Sequence, residues 1–346
     1  MPELLRDHTT LRLGGPARDW VEATTEREVV DAVRRLDAAG EPVLVLAGGS
    51  NLVVADEGFG GTVVKLATRG VAPDSDDPDD PDDLGCLGAV TVTVAAGESW
   101  DDLVARAVDR GWVGIEALSG IPGSVGATPI QNVGAYGQEV SETIASVRTW
   151  DRKHGRLRTF AASDCGFGYR TSRFKEEAGR FVVLTVTFLL RQGSLGAPVR
   201  YAELAATLGV EPGERAPIAD VRAAVLKLRG GKGMVLDPSD HDTWSAGSFF
   251  TNPVVAAADV PEGAPAWPQD GGVKTSAAWL IERAGFAKGY GGERSSLSTK
   301  HTLALTNRGG ATTADLLALA REIRDGVEAR FGIRLVNEPV LVNCTL

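Results

Sequence analysis

The stretch that most limits what this chain can fold into is GIEALSGIPGSVGATPIQNVGAYGQE, residues 114–139. Glycine and proline recur too often for a helix, and Leu118, Ile121, Val125, Ile130 and Val133 make it too apolar for a disordered linker. A long ordered loop of this kind either wraps a ligand or closes on itself as a structural Ω-loop. A second glycine turn, Ala47-Gly48-Gly49-Ser50-Asn51, directly follows the apolar run Val43–Leu46. Its glycines let backbone approach a diphosphate, and its N–H groups with the Ser and Asn side chains can satisfy phosphate oxygens. An ordinary strand-ending turn is the plain alternative.

Periodicity supplies the elements around these turns. EREVVDAVRRLDAAG places Val29, Val33 and Leu36 on one helical face and stops at Gly40. PVLVLAGGSNLVV predicts a buried strand entering the glycine turn. GTVVKL and AVTVTVAAG predict further strands, and SWDDLVARAVDRG a helix with Ser99 and Asp102 at capping-box spacing. TIASVRTWDRKHGRLRTF predicts a hairpin turning at His154-Gly155, and FVVLTVTFLLR a long strand. Beyond residue 195 the pattern gives a helix in APIADVRAAVLKLRGGKG, a strand in GSFFTNPVV and a helix in KTSAAWLIERAG ending at Gly285. A strand in LALTNRGG, a long amphipathic helix opening at Thr312 and Asp315, and a final strand in LVNEPVLV complete it. There is no internal repeat, and the reading is an α+β protein of two or three domains.

Several function classes are disfavoured. A net charge of −10 argues against general nucleic-acid binding, although local cations can still hold a phosphate ligand. No run of eighteen apolar residues appears, and the start of the chain, MPELLRDHTTLRLGG, lacks a signal-peptide pattern. Cys86, Cys165 and Cys344 suggest neither a disulfide framework nor a metal site, and His8, His154, His241 and His301 are scattered, so no metal is expected. No G-x-G-x-x-G follows a strand, no G-x-S-x-G occurs, and RGGKGM lacks the Ser/Thr of a P-loop. The acidic run PDSDDPDDPDD, residues 73–83, reads as a solvated insertion or as a cation- or partner-binding tail. Ser248, in WSAGSFFTNP, either fills a turn or is a proton donor in a dry pocket.

Segments spread along the chain, in order, resemble the UDP-N-acetylenolpyruvoylglucosamine reductase family. They are TTLRLGGPA, AGGSN, SGIPGSVGATPIQNVGAYGQE, FGYRTSRFK, GSFFTNP, KTSAAWLIE, LSTKHTLALTN and NEPV. The resemblance implies a two-part FAD-binding domain of the vanillyl-alcohol-oxidase (PCMH) type plus a C-terminal α+β substrate-binding domain. Residues 1–66, rejoined by 333–346, and 67–192 are the expected FAD subdomains, and 200–332 the substrate domain. It implies non-covalent FAD, NADPH as hydride source, and reduction of UDP-N-acetylenolpyruvoylglucosamine to UDP-N-acetylmuramate for peptidoglycan. A cytoplasmic monomer with no nucleic-acid or membrane partner is expected.

The same resemblance assigns FAD contacts to Gly48, Gly49, Ser50, Asn51, Leu52, Gly120, Ile121, Pro122, Gly123, Gly126, Ala127, Gln131, Asn132, Gly134, Ala135 and Tyr136. It assigns the substrate to Tyr201, Lys232 and Asn252, the tyrosine matching the subgroup with a substrate-clamping tyrosine loop; GMVLDPSDHDTWSA, between Lys232 and Ser248, is longer than the family pattern. Ser248 matches the family proton donor, Arg170 the arginine that holds negative charge growing beside the substrate carboxylate, and Glu338 the active-site glutamate. An always-charged, forked guanidinium suits a carboxylate, and a glutamate beside an apolar strand can donate a hydrogen bond to the oxyanion. A serine hydroxyl is a sufficient acid here because a carbanion-like carbon is strongly basic. Lys274 and Lys300 could hold phosphate or NADPH, or be solvated surface lysines. A flavin oxidase with histidine-tethered flavin is disfavoured because neither glycine stretch contains histidine, and a catalytically dead nucleotide-sugar binder because Arg170, Ser248 and Glu338 are all present.

Overall fold

The computed structural model describes residues 2–74 and 88–346; Cys86 and residues 75–83 of the acidic run lie outside them. The chain divides into two compact units that alternate along the sequence. One is Asp19–Gly48 with Gly61–Gly230, the other Met1–Arg18, Gly49–Gly60 and Gly231–Leu346.

In the first unit, α1 (Glu26–Ala38) begins with a capping box between Thr25 and Glu28 and buries Val29, Ala32, Val33 and Leu36. It leads into the strand Val43–Leu46, which runs parallel to Thr62–Lys65 in a sheet ordered Ala17–Ala23, Phe59–Leu66, Val43–Leu46. A larger sheet is ordered Arg156–Ala161, Ile144–Asp151, Phe181–Gln192, Ala89–Ala95, Val71–Pro73, with antiparallel neighbours throughout. The expected hairpin is present, with Asp151 opposite Arg156 and Gly155 at φ +60°. Val92, Val94, Val186 and Phe188 of this sheet share one core with Trp100, Leu103, Val104 and Ala107 of α2 (Trp100–Asp109). Each of the Val, Leu and Phe side chains among them contributes about 1.5–3 kcal/mol by leaving water. After the single turn α3 (Arg173–Glu176), α4 (Ala202–Leu208) and α5 (Ile218–Gly231) build a smaller cluster. Leu204, Ala205, Val221 and Val225 there pack with Ala117 of the glycine-rich loop, and Tyr136 lies against them.

In the second unit, Leu52–Val54 pairs in parallel with Val340–Val342. The strand expected through GSFFTNPVV is interrupted. Phe250 bridges Asn337, and a separate short strand, Val254–Val255, pairs with Val273 and Lys274. Pro253 has no N–H to give, so one ladder cannot run through it. α6 (Ala277–Arg283) stops before Gly285 at φ +104°, and α7 (Thr313–Phe331) has a Thr312–Asp315 capping box and ends at left-handed Gly332. Phe249, Phe250, Leu280, Ile281, Leu316, Ala320, Ile323 and Val327 form this unit's core. Among the described residues, no helix is long and apolar enough to cross a membrane.

Candidate active site

The two glycine stretches meet at backbone contact. A Cβ on Gly48 would lie 2.5 Å from the Gly123 Cα, and one on Gly126 2.4 Å from the Ala96 Cβ. The glycine-rich loop is pinned by Val125 N–H to the Glu98 carbonyl and Gly126 N–H to the Ala96 carbonyl, both at 2.9 Å. Among the described residues, the amides of Gly48, Gly49, Ser50 and Gly123 donate to no backbone carbonyl. Among the described residues the buried Ser124 hydroxyl has no hydrogen-bond partner. Lys65 donates its ammonium to the Ala47 carbonyl just before the turn. Burial pushes the Lys65 pKa down, against the opposing pull of Glu22. Within the unit that holds Gly48 and Gly123, their uncommitted amides, the Ser124 hydroxyl and the Lys65 ammonium fit a diphosphate, which takes hydrogen bonds and positive charge together.

The rest of the loop is tied down from within. Asn132, at φ +47°, donates to Glu139 Oε2 at 2.7 Å and the Gly168 carbonyl at 3.2 Å, and accepts the Ser141 N–H at 3.2 Å. Its side chain braces the loop. Buried Glu116 accepts from Gln138 Nε2 at 2.9 Å, Gly114 N–H at 2.7 Å and Ala197 N–H at 3.2 Å, so both its carboxyl oxygens are hydrogen-bonded. Arg170, at the unusual φ of +54°, donates to the Gly134 carbonyl at 2.7 Å and the Asn132 carbonyl at 3.4 Å. Lys175 Nζ holds the Arg170 carbonyl at 2.8 Å. Arg170 is thereby aimed by the loop expected to carry cofactor. Tyr136 and Tyr201, assigned to different ligands, touch edge to face with centroids 5.5 Å apart.

In the second unit, Phe249 accepts the Glu338 N–H at 2.8 Å and Thr251 donates to the Val336 carbonyl at 3.0 Å. With Phe250 opposite Asn337, this register sets Ser248 one step along from the Phe249–Glu338 pair. Phe249 and Phe250 are buried, while Ser248 and Glu338 are half-buried. Gly247 precedes the serine at φ +75°, and its N–H donates to Ser245 Oγ at 3.2 Å. The long 233–246 segment is anchored by Asp242, which accepts the Thr299 N–H at 2.9 Å and Arg308 Nη1 at 2.7 Å. Burial raises the pKa of this carboxyl, but the Thr299 and Arg308 bonds outweigh it and hold it below its ordinary value.

Two expected ligand residues have scaffold partners. Asn252 Oδ1 accepts the Ala277 N–H at 2.9 Å where α6 begins, and Asn51 Nδ2 donates to the Glu338 carbonyl at 3.4 Å. Lys300 is paired with Asp240, while Lys232 sits half-buried just past α5. Missed from the sequence were Lys65, Asp101, which accepts the Gly120 N–H, and Arg222, which holds Asp101. Only Lys65 left a signal, a charge inside an otherwise apolar strand.

Two family models match. Residues 19–161 match an FAD binding domain, and residues 237–342 the C-terminal domain of UDP-N-acetylenolpyruvoylglucosamine reductase. The chain is 59% identical over 342 residues to the UDP-N-acetylenolpyruvoylglucosamine reductase of Cutibacterium acnes, covering 98% of this chain and 89% of that protein. It is 58% identical over 358 residues to the one from Saccharopolyspora erythraea, covering 99% and 95%. The crystal structure of UDP-N-acetylenolpyruvylglucosamine reductase from Thermus caldophilus superposes with a TM-score of 0.66 at 26% identity, covering 99% of this chain and 98% of that one.

Proposed function

The chain belongs to the UDP-N-acetylenolpyruvoylglucosamine reductase family, and from that premise we propose that it uses NADPH to reduce UDP-N-acetylenolpyruvoylglucosamine to UDP-N-acetylmuramate, as a cytoplasmic monomer. Membership of this family, with an FAD-binding domain, makes it a flavoprotein oxidoreductase of peptidoglycan precursor synthesis. The two glycine stretches suit the FAD diphosphate through their uncommitted amides. FAD held by these residues would supply the hydride chemistry that links NADPH to the methylene carbon of the enolpyruvyl ether.

In this reading, Arg170 lies against the substrate carboxylate and stabilises the charge that grows beside it, in a site where fixed donors act strongly. Glu338 donates a hydrogen bond to the same enolate-like oxygen. Ser248 delivers its hydroxyl proton to the neighbouring carbon, with buried Phe249 and Phe250 limiting water. Tyr201 closes on the nucleotide, and Lys232 and Asn252 serve the diphosphate. Substrate binding then belongs to residues 200–332, and FAD to residues 1–66, 67–192 and 333–346. What supports this most is the 249–251 to 336–338 ladder, which holds the serine and the glutamate in one fixed register although they lie far apart in sequence.

The test is anaerobic stopped-flow absorbance on the two half-reactions. Ser248→Ala is expected to leave flavin reduction by NADPH near the parent rate and to slow reoxidation by substrate about 10²–10⁴-fold. Equal loss in both halves would instead mean damage to the flavin site. Reoxidation by oxygen alone would reject the reductase reading.

A further inference from the structure

The glycine-rich loop enters its tight course at Gly120, which sits at φ +71°. Its peptide is gripped from both sides. Asp101 Oδ1 accepts the Gly120 N–H at 2.6 Å, and Arg229 Nη2 reaches the Gly120 carbonyl at 3.4 Å. Asp101 is itself held by a two-pronged pair with Arg222, Nη1 to Oδ1 at 2.6 Å and Nη2 to Oδ2 at 2.9 Å. The Arg222 side chain is 19% exposed and that of Asp101 34%, so bulk water screens the pair only in part. Each partner stands on an anchored helix. Asp101 is in the first turn of α2, where the Trp100 N–H also holds the Gly123 carbonyl at 3.1 Å. Arg222 is on α5, whose Val221 and Val225 pack in the cluster that includes Ala117 of the same loop.

We propose that Asp101 and Arg222 are positioning residues for the cofactor: the pair fixes the Gly120 peptide, and through it the course of residues 120–127, in the conformation that receives FAD. This rests on the reading that residues 120–127 hold FAD. A bidentate carboxylate–guanidinium pair sets direction as well as strength, which a glycine peptide cannot do for itself. The charge state suits the role. Burial raises the Asp101 pKa, but the bonds from Arg222 and Gly120 outweigh it and keep the carboxyl below its ordinary value. The pair therefore persists at mildly acidic pH and is lost only as pH falls through that lowered value.

The test uses the full-length holoenzyme of the parent, Arg222→Met, Arg222→Lys, Asp101→Asn and the double variant Asp101→Asn/Arg222→Met. FAD release on dilution is followed by the return of free-flavin fluorescence, and amide exchange is read on the peptide spanning residues 119–128, with and without FAD. Arg222→Met is expected to weaken FAD about ten- to a hundredfold, the range for losing one charge-assisted hydrogen bond. It should also speed exchange across 119–128 in the FAD-free chain. Arg222→Lys should recover part of both effects, and the double variant should be no worse than its weaker-binding parent, as for residues that act as one unit. Parent-like FAD release and exchange in Arg222→Met would overturn the proposal, as would strictly additive losses. If FAD does not slow exchange across 119–128 even in the parent chain, it is the placement of FAD on this loop that fails.

Discussion

Gly48 and Gly49 are adjacent but resist substitution for different reasons. At Gly48 the obstacle is space, since a Cβ would press on the Gly123 backbone. At Gly49 it is also conformation: φ is +60°, and a Cβ would stand 1.9 Å from the His8 carbonyl oxygen. We expect Gly49→Ala to be purified with a strongly reduced flavin-to-protein absorbance ratio. Gly60→Ala, where a Cβ meets open space, should keep the parent ratio. Legibility at this scale was uneven. That the glycines mattered was plain from their density, because a backbone requirement is written in the residue itself. The asparagines' scaffold partners were not. Asn51, Asn132 and Asn252, expected as ligand contacts, each have a scaffold partner as well, because an amide bonds whatever the tertiary fold brings to it. Asp101 was invisible for the same reason, since Arg222 lies far along the chain.

Among the elements, α7 shows how local signals and distant partners combine. Its capping box was readable from Thr312 and Asp315 alone, a pattern complete within one turn. Its second cap was not: Asp56 accepts the Thr313 N–H at 2.7 Å and the Ala314 N–H at 3.0 Å. Thr312→Ala should cost about 1 kcal/mol. Asp56→Ala should cost a similar amount, each read from the urea midpoint at unchanged slope. The hairpin at residues 151–156 depends on a stronger interaction. The Asp151 carboxylate is buried and meets Arg180 at 2.8 Å and His154 at 2.8 Å. The bond from Arg180 does most to hold its pKa well below the ordinary carboxylate value, with His154 adding to it against the effect of burial. The folded state thus favours the charged form, so its stabilisation is present above the unfolded-state pKa and disappears as pH falls through the folded one. Asp151→Asn should cost about 3 kcal/mol near neutrality, the low end for breaking a buried pair. It should also flatten the acid limb of a stability–pH profile.

For the molecule as a whole, the α+β class followed from periodicity and the flavin domain from a resemblance spread along the chain. The expected subdomains, 1–66 rejoined by 333–346, then 67–192 and 200–332, came from the resemblance and not from periodicity. In the structure Leu52–Val54 pairs with Val340–Val342, and α4 and α5 pack with Ala117. Such pairings depend on side chains meeting across long separations, which leave no periodic trace. A ligand that binds only the folded chain adds stability by mass action. FAD at a hundred times its Kd should therefore raise stability by about 2.7 kcal/mol. The thermal transition of the stripped protein should rise on adding FAD, and Gly49→Ala should not show the rise.

The pairing of Leu52–Val54 with Val340–Val342 also bears on the order in which the protein is made. At bacterial or eukaryotic elongation speeds, roughly 15–60 s separate the emergence of the earlier strand from that of its partner. For that interval Val53 and Val54, both fully buried in the finished molecule, have no partner strand to cover them. The uninterrupted run Gly61–Gly230 meanwhile contains most of its own unit and can collapse as it leaves the ribosome. The strand that follows the Gly48-Gly49 turn is thus completed only once residues 340–342 have emerged, and a chain stalled before residue 340 would present a sticky, unpaired edge to chaperones and proteases.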